Sequence, residues 1–567
     1  MINENELNCM TFAAGKNATV SGRVLIGHNE DDNGTISVRH GYVPAADWPD
    51  GTVLPAENGC AAIPQVPHTY GYYWTEYKKS SGGISNADSF INECGVCIVS
   101  NSMAGSKESD DDNDILCTEG GVFYNLRRCL AERSSSAREG AKVLMELMDM
   151  YGYASSGRAY TIADKDEVFH FQLVRGKHYM GARLPDDAIM VMPNHYTFRT
   201  LSDCPEMFYP DDIIEYAVKR GFYTPGTPGD YSDFDFSLAY QAPKSRRDSF
   251  NTSRQRQGQH MLLGMSPYST DFSFCHKYTQ KVDAGDFASA LSSHSESFFT
   301  GQIGFGPGLT PHDLPDNSPI CRTTTLESSI IEPGDTPCDT VIHAAFGRPC
   351  EVPYISFMPL RALPAQLGAM ADARRAMDEH LLPDMTVGTV ENSPLAKIRA
   401  CETLADLTYC RTSVFLGSFI RENHQSLNEV KKNTGTLRAD NGLYFEAIAD
   451  KYAETVEMTL RRIRPEVQPM GNTDGAMPAS FRVRFSVFGE VDPYSLVAGP
   501  RGRSVRRFYS KLASPEKLIK INSATYEAEF AAKPLSDVFT FAGTYPLFVA
   551  GKTTDGVPFA GETIFGI

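Results

Sequence analysis

A chain of 567 residues with a formal net charge of -17 is too long for one ordinary core, and at about 100 to 200 residues per domain roughly three are expected. The acidic balance argues against a nucleic-acid surface, because phosphate binding needs clustered Lys and Arg to displace counterions. No run of about 18 apolar residues occurs, so no membrane-spanning helix is predicted.

Hydrophobic residues make up 41% of the chain, with 32 Phe and 26 Tyr, which is ample material for a folded core. The opening Met1-Ile2-Asn3-Glu4-Asn5-Glu6 has neither a basic nor an apolar signal region, so the sequence as it stands reads as cytoplasmic. A signal removed upstream would instead make the protein secreted or periplasmic. The 13 cysteines lack the tight spacing of a disulfide framework and are read as mostly reduced thiols.

Cys9 to Gly15 reads as a strand, Lys16 to Gly22 as a turn and residues 23 to 29 as a second strand. Folding this hairpin about residue 19 brings position 29 opposite position 9. His28, Asn29 and Asp31 are then expected beside Cys9, where a carboxylate can orient an ammonium group and amide donors can hold a substrate. Were Cys9 the first residue of a shortened chain, its thiolate would be the nucleophile. Its α-amine, with an ordinary pKa of about 7.7 to 8.0, would be the base. On pattern alone, a surface hairpin with polar ends is the better fit.

Residues 40 to 90, rich in Pro, Gly and aromatics, suggest short strands and ordered loops. Cys94 and Cys97 form a C-x-x-C that spans a turn into a strand, which disfavours a redox or zinc role. Asn101 ends that strand, as an oxyanion donor or as a strand-end cap. The acidic loop Asp110 to Asp114 lacks the Gly and terminal Glu of a calcium loop and reads as solvated.

A helical pattern runs over residues 120 to 151. Three alternating segments, Tyr160 to Asp164, Val168 to Val174 and His178 to Arg183, make an antiparallel meander. A fourth strand, Ile189 to Met192, delivers Asn194 at its end. Short helices are expected over 211 to 220 and 233 to 240. The cluster Arg246, Arg247, Arg254 and Arg256 suits a carboxylate or an oxyanion-supporting network, or a solvated helix face.

Thr300 to Asp316 reads as a loop over the site. Residues 365 to 465 are mostly helical, Pro465 to Pro478 reads as a linker, and the alternation from Phe481 onward suggests a small β-sandwich. No H-E-x-x-H, P-loop, G-x-S-x-G or paired C-x-x-C arrangement occurs, so neither a metal nor a cofactor is expected.

Cys9-Met10-Thr11-Phe12-Ala13-Ala14-Gly15-Lys16-Asn17-Ala18, His28-Asn29-Glu30-Asp31-Asp32, Tyr160 to Asp164, Arg183 to Asp187 and Pro193 to Thr197 together resemble the dipeptidase A (PepD-type) cysteine peptidases, to which secernins are similar. That family belongs to the N-terminal-nucleophile hydrolases, with bile salt hydrolases and penicillin V acylases as relatives. The likeness runs in order from residue 9 to about 465.

The resemblance implies an α+β fold, an αββα sandwich of two antiparallel sheets. The expected organisation is a leader at 1–8, a catalytic domain at 9–360 and a helical region at 361–465 completing it. A linker at 466–477 and a β-rich accessory domain at 478–567 would follow.

By the same resemblance Cys9 is the nucleophile exposed by removal of residues 1–8, and Asp31 orients the new amine. Asn194 helps bind the oxyanion and Arg254 supports the nucleophile. Asn101 aligns within one residue of a second oxyanion asparagine, with Ser102 competing for the place. His28 stands where the acylase relatives carry an arginine and, with Asn29, is assigned to the substrate. The implied reaction is hydrolysis of a dipeptide, with small peptides as partners. The alternatives are an acylase of non-peptide amides and a non-catalytic scaffold. Subunit number is left open, a homo-oligomer included.

Overall fold

The computed structural model describes residues 9–31, 38–56, 59–77, 86–103, 105–108, 113–246, 249–294, 312, 319–322, 324–364, 367, 398, 401–402, 409–432, 441–459, 461–470, 477–500, 513–536 and 544–566. The expected leader 1–8, the core of the acidic loop, nearly all of the loop over the site and much of 365–408 lie outside them.

Two antiparallel sheets form the body. The first has seven strands, in the order 275–277, 188–192, 10–14, 25–31, 325–332, 341–345 and 355–357. Its centre is the hairpin of β1 (Met10–Ala14) and β2 (Leu25–Asp31), flanked by β4 (Ala188–Met192) and β5 (Thr325–Glu332). Every residue of β1 and β2 is buried, as befits strands covered on both faces.

The second sheet has eight strands, in the order 207–208, 179–183, 168–176, 153–163, 97–102, 86–92, 72–77 and 39–43, and includes β3 (Cys97–Ser102). The meander forms here as expected. The strand that follows it, β4, leaves for the first sheet and pairs with β1, so Asn194 is delivered to the end of the nucleophile's own sheet.

Helices 125–133 and α1 (Ala137–Tyr151) pack on the eight-stranded sheet. The single expected helix over 120–151 is broken at Ser134–Ser136, because Ser136 caps α1 by accepting from the Glu139 amide and Asp164 accepts from the Ala137 amide. The stripe Leu144, Leu147 and Met148 then faces the sheet.

On the seven-stranded sheet lie α2 (Ser249–Leu263) and α3 (Ala284–Leu291). Both need a small residue at the contact. A Cβ on Gly258 of α2 would fall 2.7 Å from Val191, and one on Gly27 of β2 would fall 2.8 Å from Phe287 of α3. Phe287 also meets Phe12 edge to face at 5.7 Å between centroids. Close packing of α2 is what brings Arg254, one turn earlier, onto the end of β1.

Between 409 and 459 two helices, Tyr409–Lys432 and Asn441–Thr459, pack beside this body. The C-terminal region holds two four-stranded sheets, in the orders 461–462, 558–566, 544–552, 497–500 and 466–470, 480–486, 525–531, 515–520. Phe481 joins their core by stacking on Phe530 and packing against Phe565. Residues 466–470, expected within a linker, form an edge strand against 480–486. Pro469 is tolerated there because only one side of an edge strand must pair.

Candidate active site

The register of the central hairpin pairs Met10 with Asn29 and Thr11 with His28. Continued one step, it sets Glu30, rather than residue 29, opposite Cys9. The difference is one residue, and because strand side chains alternate it changes which groups share a face. Cys9, Thr11, His28 and Glu30 lie on one side of the sheet, and Asn29 lies on the other.

Accordingly, the Cys9 Sγ is 3.7 Å from Glu30 Oε1, and His28 Nε2 is 3.5 Å from Glu30 Oε2. Asn29, expected to face substrate, is instead turned toward α3. Its amide donates to the carbonyls of Leu291 at 3.0 Å and Ile320 at 3.3 Å. His28 is likewise buried, so it contributes an internal hydrogen bond rather than an exposed contact.

The protonation of His28 follows from its neighbours. The Asn101 amide donates to the Met192 and Pro193 carbonyls, so its Oδ1 is the acceptor for the Thr11 hydroxyl at 2.6 Å. The Thr11 hydrogen being used there, the 2.8 Å contact between Thr11 Oγ1 and His28 Nδ1 carries the proton on Nδ1. Nε2 therefore faces Glu30 with a lone pair unless a second proton sits between them. Cys9, Glu30 and His28 form a short path along which a thiol proton can be held.

Asn101 thus ties the two sheets together through Thr11 of β1 and the end of β4. The Ser102 hydroxyl accepts from Arg158 at 2.8 Å.

Arg254 is fully buried and makes the central connection. Its Nη1 donates to the Cys9 carbonyl at 3.0 Å. Its Nη2 donates to Asn194 Oδ1 at 2.6 Å and Asn251 Oδ1 at 3.1 Å. The Asn194 amide donates to the Ser102 carbonyl at 2.6 Å, and the Asn194 backbone N–H donates to Asn251 at 3.3 Å. One guanidinium fork therefore fixes the carbonyl of Cys9 and the orientation of the Asn194 amide together.

Asp31, at the end of β2, is completely buried. Burial pushes its carboxyl up to about 7, against the opposing pull of Arg322, the Thr325 side chain and Arg254. Arg254, which holds the Cys9 carbonyl, acts on Asp31 by its charge, while the carboxylate against the thiol itself is that of Glu30.

Sequence reasoning brought Cys9, Asn194 and Arg254 into one site and missed the part of Glu30, which only the exact register reveals. It also missed a second cluster, His294, His312, Cys321 and Cys350, whose ligating atoms all lie within 4.8 Å of one another. Cys9, His28 and Glu30 meet the same distance condition. These are the two groups among the described residues able to hold a metal ion.

Comparison with known proteins places this site in context. Over 357 residues the chain is 25% identical to "Probable dipeptidase" of Latilactobacillus sakei, covering 62% of this chain and 73% of that one. Over 368 residues it is 24% identical to "Probable dipeptidase A" of Streptococcus pyogenes serotype M1, covering 63% and 73%. Among solved structures, a variant of the conjugated bile acid hydrolase from Clostridium perfringens aligns with 60% of this chain and 89% of its own. Its identity is 12% and its TM-score 0.28, too loose a likeness to bear on function.

The family model of Peptidase family C69 matches residues 8–304, just over half of the chain, a stretch that begins one residue before Cys9 and takes in Asp31, Asn101, Asn194 and Arg254. The chain belongs to peptidase family C69.

Proposed function

We propose that this peptidase is a cysteine dipeptidase built on the αββα sandwich of the N-terminal-nucleophile hydrolases, with Cys9 freed as the first residue by removal of residues 1–8. The observation that carries the reading is the Arg254 fork, which joins the Cys9 backbone to the amide of Asn194.

In the first cut the Cys9 thiol attacks the Asn8 carbonyl. A carbon–sulfur bond forms, the carbon–nitrogen bond breaks, the departing nitrogen takes a proton to become the α-amine, and water cleaves the thioester. While Asn8 is attached, Cys9 has no free α-amine. Glu30, 3.7 Å from the thiol, is then the carboxylate within reach to accept its proton.

In turnover the α-amine takes over as base and the thiolate attacks the scissile carbonyl of a dipeptide. The Asn194 amide stabilises the oxyanion with the hydrogen not given to Ser102. The leaving amine takes a proton from the α-ammonium, and water resolves the thioester. Asp31 acts through Arg254 and as a counter-charge to the ammonium. An oxyanion donor of this kind is worth about 2.7 to 4 kcal/mol.

A panel of dipeptides assayed beside bile-salt and penicillin amides, with wild type and Cys9→Ala, tests the reading. Dipeptide turnover lost by about 10⁴-fold or more in Cys9→Ala is expected. Turnover of the non-peptide amides alone would make the protein an acylase. Equal rates in both proteins would remove Cys9 from the mechanism, and no turnover of any amide by a processed wild type would make it a scaffold.

A further inference from the structure

Three stretches converge beside the seven-stranded sheet. His294 follows the end of α3, Cys321 precedes β5, and Cys350 follows strand Val341–Ala345. His312 stands between the first two. His294, His312 and Cys321 are buried and Cys350 is partly buried.

The distances among their ligating atoms are short and mutual. His294 Nε2 to His312 Nε2 is 3.0 Å, His312 Nε2 to Cys350 Sγ is 3.1 Å, and to Cys321 Sγ is 3.8 Å. The two sulfurs are 3.4 Å apart. Hydrogen bonding does not account for this. A neutral imidazole nitrogen carries one proton or one lone pair, yet His312 Nε2 meets three partners at once. A disulfide does not either, since its sulfurs would lie about 2.05 Å apart.

A tetrahedral ion does. With metal–sulfur bonds of about 2.3 Å and metal–nitrogen bonds of about 2.0 to 2.1 Å, the edges of the tetrahedron are about 3.3 Å between nitrogens. They are about 3.6 Å from nitrogen to sulfur and about 3.8 Å between sulfurs. The four separations above fall within about half an ångström of these, and the two remaining edges, from His294 to the sulfurs, are within 4.8 Å. Two thiolates with two imidazoles in that geometry suit zinc.

We propose that His294, His312, Cys321 and Cys350 form a closed, structural zinc site. Four protein ligands leave no open position for substrate or water, so the ion acts on the fold rather than in the reaction. Its effect is local and specific. The segment 319–322 that it anchors supplies the Ile320 carbonyl to Asn29, and its Ile320 and Cys321 amides bond Gln257 of α2 and the Ser293 carbonyl. Arg322 next to it acts on Asp31. The zinc would staple the end of α3, the entry to β5 and the loop behind 341–345, and so hold the wall on which Asp31 rests. The site is independent of the dipeptidase reading, because none of its ligands takes part in the proposed reaction.

The test is metal analysis of the untagged full chain after exchange into zinc and removal of unbound metal. About one zinc per chain is expected in wild type, in Cys9→Ala and in Cys204→Ser, whose thiol pairs instead with Cys275 at 3.9 Å. Less than a tenth of that is expected in Cys321→Ser/Cys350→Ser. Thiol alkylation mapped by mass spectrometry gives a second readout on wild type alone. Cys321 and Cys350 should be protected with zinc and become reactive after chelation, which keeps the test decisive should the double variant fail to fold. Four results would overturn the proposal: a wild type without zinc, zinc retained by the double variant, zinc lost in Cys9→Ala, or a purified chain carrying a Cys321–Cys350 disulfide.

Discussion

The molecule buries two clusters in which thiols meet imidazoles, and the two differ in what else they hold. Around Cys9, one thiol meets His28 and the Glu30 carboxylate, and Arg254 holds the adjoining backbone. Around Cys321, two thiols and two imidazoles close on one another with no carboxylate among them. The first arrangement can pass a proton from sulfur to oxygen. The second has the ligand set and spacing of a tetrahedral ion site. A buried thiol is therefore read by its partners, and the neighbouring carboxylate is what sets Cys9 apart from Cys321 and Cys350.

The largest way to sharpen that contrast is through Asp31, the carboxylate between the clusters. Its folded-state pKa of about 7 lies above the ordinary carboxylate value, so the folded chain binds the proton that the unfolded chain releases. Stability should fall as pH rises from about 4 to about 7 and level off above, by about 4 kcal/mol in all. Asp31→Asn in an unprocessed Cys9→Ala background should lose this slope and be the more stable chain at pH 8, read by urea denaturation across pH. A parallel pH dependence in both chains would deny Asp31 its buried charge.

Next comes Asn194→Ala, which should lower kcat by about 10²- to 10³-fold with KM nearly unchanged. A change confined to KM would move Asn194 from the oxyanion to substrate binding. Glu30→Gln keeps the shape of the contact and removes the proton acceptor. Release of residues 1–8 should slow by about 10²-fold, while dipeptide turnover by chain already processed falls far less. Equal effects on both steps would give Glu30 no special part in maturation. The smallest effect is expected from Asn29→Ala. It should cost about 1 to 3 kcal/mol of stability by orphaning the Leu291 and Ile320 carbonyls, and leave kcat/KM within a few-fold of wild type. A large loss of turnover at undiminished stability would return Asn29 to the substrate.

Local pattern made the central hairpin, the meander and the alternation beyond Phe481 legible in the sequence, since each follows from turn residues and a period of two. The resemblance, not the pattern, brought Cys9, Asn194 and Arg254 together across more than 240 positions. Glu30 escaped because a hairpin folded about residue 19 sets the register one step out, and one step exchanges the two faces of a strand. The break in the helix over 120–151 escaped because Ser136 and Asp164 reward a new start that periodicity cannot see. The four-group cluster left no signal at all. Its contacts join residues 18, 9 and 29 positions apart, all outside the named helices and strands, with none of the short spacings by which zinc ligands are recognised.

The central claim is that Cys9 becomes the first residue of the working enzyme. Intact-mass measurement of the chain in its active fraction, beside Cys9→Ala, tests it most directly. The account predicts that the active chain has lost residues 1–8 and that modification of Cys9 by a thiol reagent, located by peptide mapping, stops turnover, while Cys9→Ala keeps its full mass and is inert. An active chain that still carries residues 1–8 would contradict it.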